Sequence, residues 1–247
     1  MSGALLEARE VTVRFGGLTA VDGVSATLHA GELVGIIGPN GAGKTTFFNA
    51  ISGVQPTTSG RIFAGDVELT GRLPQLFAAH GVARTFQTPR VFAGMTVRDN
   101  VRFGMAFAGR GRTGAPGLGS EAEILAMLGL QGLADRLAAE ITPSQQRLLE
   151  IGMALGTRPR VLLLDEVAAG LTEAEVDAMA QRIRRLRDEA GLTVVWIEHA
   201  VTTLLRYVER VLVLHQGRKI ADGTPAEVVR DARVIEAYLG DEMDEPA

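Results

Sequence analysis

The chain has 247 residues, 46% of them hydrophobic and 22% charged, with a formal net charge of −4 at pH 7 and no cysteine. That apolar supply suffices for one large or two modest packed units, and the lack of cysteine excludes disulfide and thiolate chemistry. No apolar stretch reaches the roughly 18 residues that span a bilayer, no basic segment followed by an apolar core opens the chain, and the slightly acidic balance disfavours a nucleic-acid partner, so a cytoplasmic protein is expected.

Residues 5–13, 23–28, 33–37 and 60–63 read as short extended segments separated by Gly and Asp turns, with one clear helix among them. The run Leu33-Val34-Gly35-Ile36-Ile37 leads into Gly38-Pro39-Asn40-Gly41-Ala42-Gly43-Lys44-Thr45, followed by Thr46. This is the spacing G-x-x-x-x-G-K-[ST] in the order its mechanism needs: a buried strand, a Gly-rich turn, then a helix from about Lys44. Such a turn aims backbone N–H groups and the positive end of a helix dipole at one point, where a nucleotide's phosphates belong. The glycines are expected to let the backbone approach the ligand. Lys44 supplies a charge for the terminal phosphates and Thr45 a hydroxyl for Mg²⁺.

Further along, Gln87 in Ala83-Arg84-Thr85-Phe86-Gln87-Thr88-Pro89 stands where the β-rich segments hand over to helical patterns, which fill residues 92–154 and include 121–128 and 145–155. An amide at such a junction can ligate Mg²⁺ and sense the nucleotide. Residues 109–119 are dominated by glycine and proline and cannot form a regular element; they read as a flexible surface loop or a partner contact. After 155 the pattern becomes α/β: strands at 161–164, 193–197 and 210–214, helices at 173–190 and near Val201. Asp165 and Glu166 end the first of these strands, at the edge where open α/β sheets bind ligands. Asp165 is placed to hold Mg²⁺ directly or through water, and Glu166 to orient or deprotonate an attacking water. His199 emerges from the next strand on the same edge, where it can touch a γ-phosphate or position water. The acidic residues 241–247 read as a frayed tail.

This ordered set resembles the ATPase subunits of ABC transporters over residues 5–240, with 38–46 as the Walker A loop, Gln87 as the Q-loop glutamine, 162–166 as the Walker B strand and His199 as the switch histidine. The resemblance implies an α/β fold: a P-loop NTPase core with an antiparallel β subdomain (1–91 and 155–240) and an inserted helical subdomain (92–154). It implies ATP and Mg²⁺ as cofactors. Phe15 falls where the family has an aromatic near the adenine; stacking and buried packing are both open to it. The stretches Phe15-Gly16-Gly17-Leu18-Thr19-Ala20-Val21, Arg84-Thr85-Phe86-Gln87, Gln145-Gln146-Arg147-Leu148-Leu149-Glu150-Ile151 and 217–240 are similar to the larger ATPase subunit of branched-chain amino-acid importers. Urea and amide importers and the lipopolysaccharide export ATPase are close relatives. The resemblance implies two membrane-spanning permeases, a substrate-binding protein acting indirectly, and a peripheral position on the inner face of the cell membrane.

One motif departs. Where this branch has Leu-Ser-Tyr-Gly-Gln, the chain has Ile141-Thr142-Pro143-Ser144-Gln145. Thr142 can cap the following helix and Pro143 suits its first position, but Pro143 has no N–H to give a γ-phosphate and Ser144 puts a side chain where a glycine admits the backbone. In the family each composite site joins one subunit's Walker loops to the other's signature, so the defect falls on the partner's ATP. A heterodimer with a second ATPase, one site impaired, is expected ahead of a homodimer; a regulatory binder with little turnover is the alternative.

Overall fold

The computed structural model describes residues 3–108, 118–198 and 201–244, with side chains as far as residue 239. In chain order the elements are β1 (Leu6–Phe15), β2 (Leu18–Leu28), β3 (Leu33–Ile37), α1 (Lys44–Ile51), β4 (Ser59–Ala64), β5 (Val67–Glu68), α2 (Pro74–Ala79), β6 (Val82–Arg84), α3 (Val97–Ala106), α4 (Glu121–Leu128), α5 (Pro143–Gly156), β7 (Val161–Asp165), α6 (Glu173–Ala190), β8 (Thr193–Ile197), α7 (Val201–Leu205), β9 (Arg210–His215), β10 (Arg218–Gly223), α8 (Pro225–Val228) and α9 (Ala232–Asp244).

Two sheets result. One is antiparallel, in the order β2-β1-β4-β5; the other runs β10-β9-β3-β8-β7-β6, parallel except for the β9–β10 hairpin. Every residue of β3, β7 and β8 is buried, which is why these strands, apart from the end residues Asp165 and Thr193, are continuous apolar runs rather than alternating. Their side chains still alternate between faces. Val34, Ile36, Leu163 and Val195 pack with α1 and the antiparallel sheet, whereas Leu33, Ile37, Leu162, Leu164 and Trp196 pack with α3 to α6.

The sequence reading named neither α2, short and with no side-chain cap, nor β6, three residues long. Neither is long enough to show a period. β6 pairs in parallel with β7 and brings residues 85–90 to the sheet edge where Asp165 ends. Helix α3 lies against α5 backbone to backbone: a Cβ on Gly104 would stand 2.1 Å from Met153 O. The buried Asn100 accepts from Phe92 N (2.8 Å) and donates to Thr96 O (2.9 Å), pinning the segment after Gln87 to α3. The backbone of α9 continues as helix past Gly240 and through Asp244, beyond the point at which the sequence suggests fraying. Residues 109–117 of the Gly-rich segment and His199 lie outside the described residues.

Candidate functional site

The loop between β3 and α1 is shaped by its own chain. Gly43, the residue before α1, has φ 94, and a Cβ there would lie 2.3 Å from Ala20 O. A Cβ on Gly38 would lie 2.0 Å from Leu214 O. These two glycines are therefore required by close packing against the β2 and β9 backbones, a reason the motif itself does not reveal. Lys44 is buried and its Nζ donates to Gly38 O (2.6 Å) and Pro39 O (2.8 Å), folding the ammonium over the loop. Thr45 is exposed at the helix start, where the first-turn N–H groups have no intrahelical acceptor. The loop opens on a cleft of about 330 Å³ lined by Phe15, Leu18, Ala20 and residues 40–46. Phe15 is 49% exposed and Leu18 66%. Phe15 thus lines the cleft instead of packing in the core, and Leu18 joins it, which sequence reasoning missed. A polyphosphate with an apolar base fits this donor set: N–H groups and an ammonium at one end, aromatic and aliphatic surface at the other.

On the neighbouring edge, Asp165 accepts from Arg84 Nη2 (3.0 Å) and its amide donates to Thr85 Oγ1 (3.1 Å). Arg84 also donates to Asn49 Oδ1 (2.6 Å) and Ser52 Oγ (3.0 Å), both close to α1 or within it, so one guanidinium ties the nucleotide-side helix to the end of β7. Glu166 follows at φ 49, an uncommon conformation for a side chain other than glycine. Its amide donates to Ile197 O (3.0 Å), and Arg147 of α5 donates to its carbonyl (2.8 Å) and to Ala169 O (2.8 Å). Gln87 Nε2 donates to Glu166 Oε2 at 2.7 Å. The structure therefore brings Gln87, Asp165 and Glu166 together, with Gln87 directly on Glu166. The amide oxygen of Gln87 and the Asp165 carboxylate are the groups a hard cation takes.

Two buried carboxylates support this arrangement and were not singled out in the sequence. Glu198, beside His199, accepts from Ala168 N (2.7 Å) and Trp196 Nε1 (2.9 Å); burial nonetheless holds its pKa above the ordinary value. Glu150 on α5 accepts from Phe86 N (3.3 Å) and Arg90 N (3.0 Å) through the same oxygen. Burial pushes its pKa from 4.5 to about 7, against the pull of those two amides, Arg147 and Arg90. The folded protein thus holds this proton more tightly than the unfolded chain does. The stability it confers is full below about 4.5, declines as pH rises to about 7 and is constant above. Glu150→Gln is expected to gain on the wild type by up to roughly 3 kcal/mol between pH 5 and pH 8, read from urea unfolding; a difference independent of pH would contradict this.

At the start of α5, Thr142 Oγ1 accepts from Gln145 N (3.3 Å) and Gln145 Oε1 accepts from Thr142 N (2.9 Å), a reciprocal cap with Pro143 at the first helical position. Helix formation thus survives the altered motif. Ser144 Oγ lies 3.0 Å from Thr142 Oγ1. Both hydroxyls are engaged within the chain. None of Thr142, Pro143, Ser144 and Gln145 lines the cleft beside Lys44.

Comparison with known proteins agrees with this geometry. Residues 21–169 match the ABC transporter family model, and residues 218–244 match that of the branched-chain amino acid ATP-binding cassette transporter. The chain is 39% identical to the high-affinity branched-chain amino acid transport ATP-binding protein BraF of Pseudomonas aeruginosa, over 98% of this chain and 100% of that protein. It is 38% identical, with the same coverage, to LivG of Escherichia coli, which carries the same description. A solved structure, the ADP conformation of MJ1267, an ATP-binding cassette of an ABC transporter, superposes with a TM-score of 0.85 at 31% identity, covering 96% of this chain and 99% of that one.

Proposed function

The chain belongs to the ATP-binding cassettes of ABC transporters, and from that premise we propose that it powers a branched-chain amino-acid importer, hydrolysing MgATP as one half of a heterodimer of ATPases. Its relatives BraF and LivG carry that transport in their names. The observation that carries the catalytic part is the Gln87–Glu166 pair at the end of β7, on the sheet edge beside the Lys44 loop. In this reading residues 38–46 cradle the phosphates, Phe15 and Leu18 receive the base, and Glu166 takes the proton of the attacking water, with Gln87 and His199 orienting it. Thr45, Gln87 and Asp165 would hold Mg²⁺, which neutralises charge on the phosphate oxygens.

The signature speaks for asymmetry. Thr142 and Ser144 bond within their own chain and Pro143 has no donor, so the partner's ATP receives a weakened clamp, while this chain's nucleotide is completed by the partner's signature. The same feature carries the second reading, a regulatory subunit that binds nucleotide with little turnover. Phe92, Phe103 and Phe107 form an exposed aromatic cluster, with ring centroids 4.4 and 5.1 Å apart, next to the Gln87 segment. We assign it to the contact with a membrane-spanning subunit. Among the described residues no helix is long and apolar enough to cross a membrane, so the position at the membrane would come through that partner.

Titration of the purified chain with a fluorescent ATP analogue and Mg²⁺ tests the nucleotide assignment. Lys44→Ala is expected to weaken binding by roughly ten- to a hundredfold, the loss of one charge-assisted contact. Equal affinity in the two proteins would overturn it.

A further inference from the structure

Helix α5 does more than carry the altered signature. Arg147 and Glu150 lie three residues apart, hence on one face of the helix, and both reach segments that bear groups of this chain's own site. Arg147 donates to Glu166 O and Ala169 O, each at 2.8 Å. Glu150 accepts from Phe86 N and Arg90 N, the residues on either side of the Gln87 segment. Gln87 in turn donates to Glu166 Oε2 at 2.7 Å. The contacts close a ring, from α5 through Arg147 to Glu166, across to Gln87, and back through Phe86 and Glu150 to α5.

We propose that Arg147 and Glu150 are positioning residues that fix Glu166 and Gln87 for the ATP bound by this chain, so that α5 serves both composite sites. Its first turn faces the partner's nucleotide and its second sets the geometry of its own, an inference that rests on the composite-site reading above. Glu166 needs such a support because its backbone sits at φ 49, a conformation that persists only where the surroundings over-determine it. Two anchored carbonyls, one of its own and one three residues on, do that. The ring also accounts for the kind of change the signature tolerates. Pro143 at the first position and the Thr142–Gln145 cap keep the start of α5 in register, so the clamp for the partner can weaken while Arg147 and Glu150 stay in place. The charged groups facing Glu150 are Arg90 on the loop and Arg147 on α5, with Arg84 close enough to feel its charge; Arg147 also faces Glu198.

The test compares Arg147→Ala, Glu150→Ala and Glu150→Gln with the wild type, after circular dichroism has shown each to be folded. In the full heterodimer, the Ala variants are expected to lose about 10–10² in single-turnover rate with the KM for MgATP within about threefold, because the Lys44 loop is untouched, while Glu150→Gln, which keeps the accepting oxygen, recovers most of the rate. Hydrogen exchange in the isolated chain reads the ring without partner or nucleotide. Glu150→Ala is expected to speed exchange at Phe86 and Arg90 by about tenfold, and Arg147→Ala to do so at Ala169, whose amide donates to Glu166 O at 3.2 Å. Unchanged exchange at these amides, or Ala variants that turn over at the wild-type rate, would overturn the proposal. If instead the wild-type heterodimer fails to hydrolyse ATP while the exchange changes appear, the composite-site reading fails and the ring stands.

Discussion

Glu166→Gln is expected to lower single-turnover hydrolysis by about 10²–10⁴, the contribution typical of a positioned general base, while leaving MgATP affinity nearly unchanged. The amide is isosteric and can still meet Gln87, so the loss isolates the proton-accepting function from packing. Glu166 is buried, its amide and carbonyl are both engaged, and Gln87 holds its carboxylate at 2.7 Å. A substitution that keeps shape therefore leaves the surrounding contacts in place, and trapping of nucleotide without turnover should follow. The partner's equivalent substitution should cost far less, because in the proposed asymmetry the partner's ATP already faces the weakened signature. Equal losses from the two substitutions in the purified pair would mean that both sites hydrolyse equally.

Rebuilding the signature should work in the opposite direction. Pro143→Gly combined with Ser144→Gly restores a donor N–H and removes the side chain that bonds Thr142. A charge-assisted hydrogen bond contributes about 1.5–3 kcal/mol. Nucleotide-dependent association of the Glu166→Gln chain with itself, followed by gel filtration or light scattering, should therefore strengthen by roughly ten- to a hundredfold. Part of the gain is offset by helix propensity, since glycine is about 1 kcal/mol worse than alanine in a helix, although the Thr142–Gln145 cap remains. Association no stronger than that of the parent chain would show that Pro143 and Ser144 do not limit the clamp.

The parts of the site that lie in one strand–loop–helix unit were legible in the sequence. Residues 33–37 and 161–164 announce themselves as unbroken apolar runs, because buried parallel strands have no wet face. The loop from Gly38 to Lys44 and the acids after Leu164 follow at fixed spacing. What could not be read depends on distance across the fold. Arg84 meets Asp165 and Gln87 meets Glu166 across about 80 intervening residues, and no local pattern marks an arginine as structural or a glutamate at position 150 as buried. The glycine requirement likewise came from Ala20 O and Leu214 O, carbonyls far along the chain. Phe15 offered two readings in sequence, and only its exposure beside the loop separates them. β6 was invisible because a three-residue strand has no period to show.

Single-turnover ATP hydrolysis by the purified chain alone, across a series of protein concentrations and beside Glu166→Gln, tests the central claim most directly. A chain whose own site is complete but whose signature is impaired should bind MgATP and stay nearly silent at every concentration, gaining turnover when the second ATPase is added. Hydrolysis that depends on Glu166 and climbs steeply with the concentration of this chain alone would contradict the account, because two copies of Thr142, Pro143, Ser144 and Gln145 would then suffice to close a productive dimer.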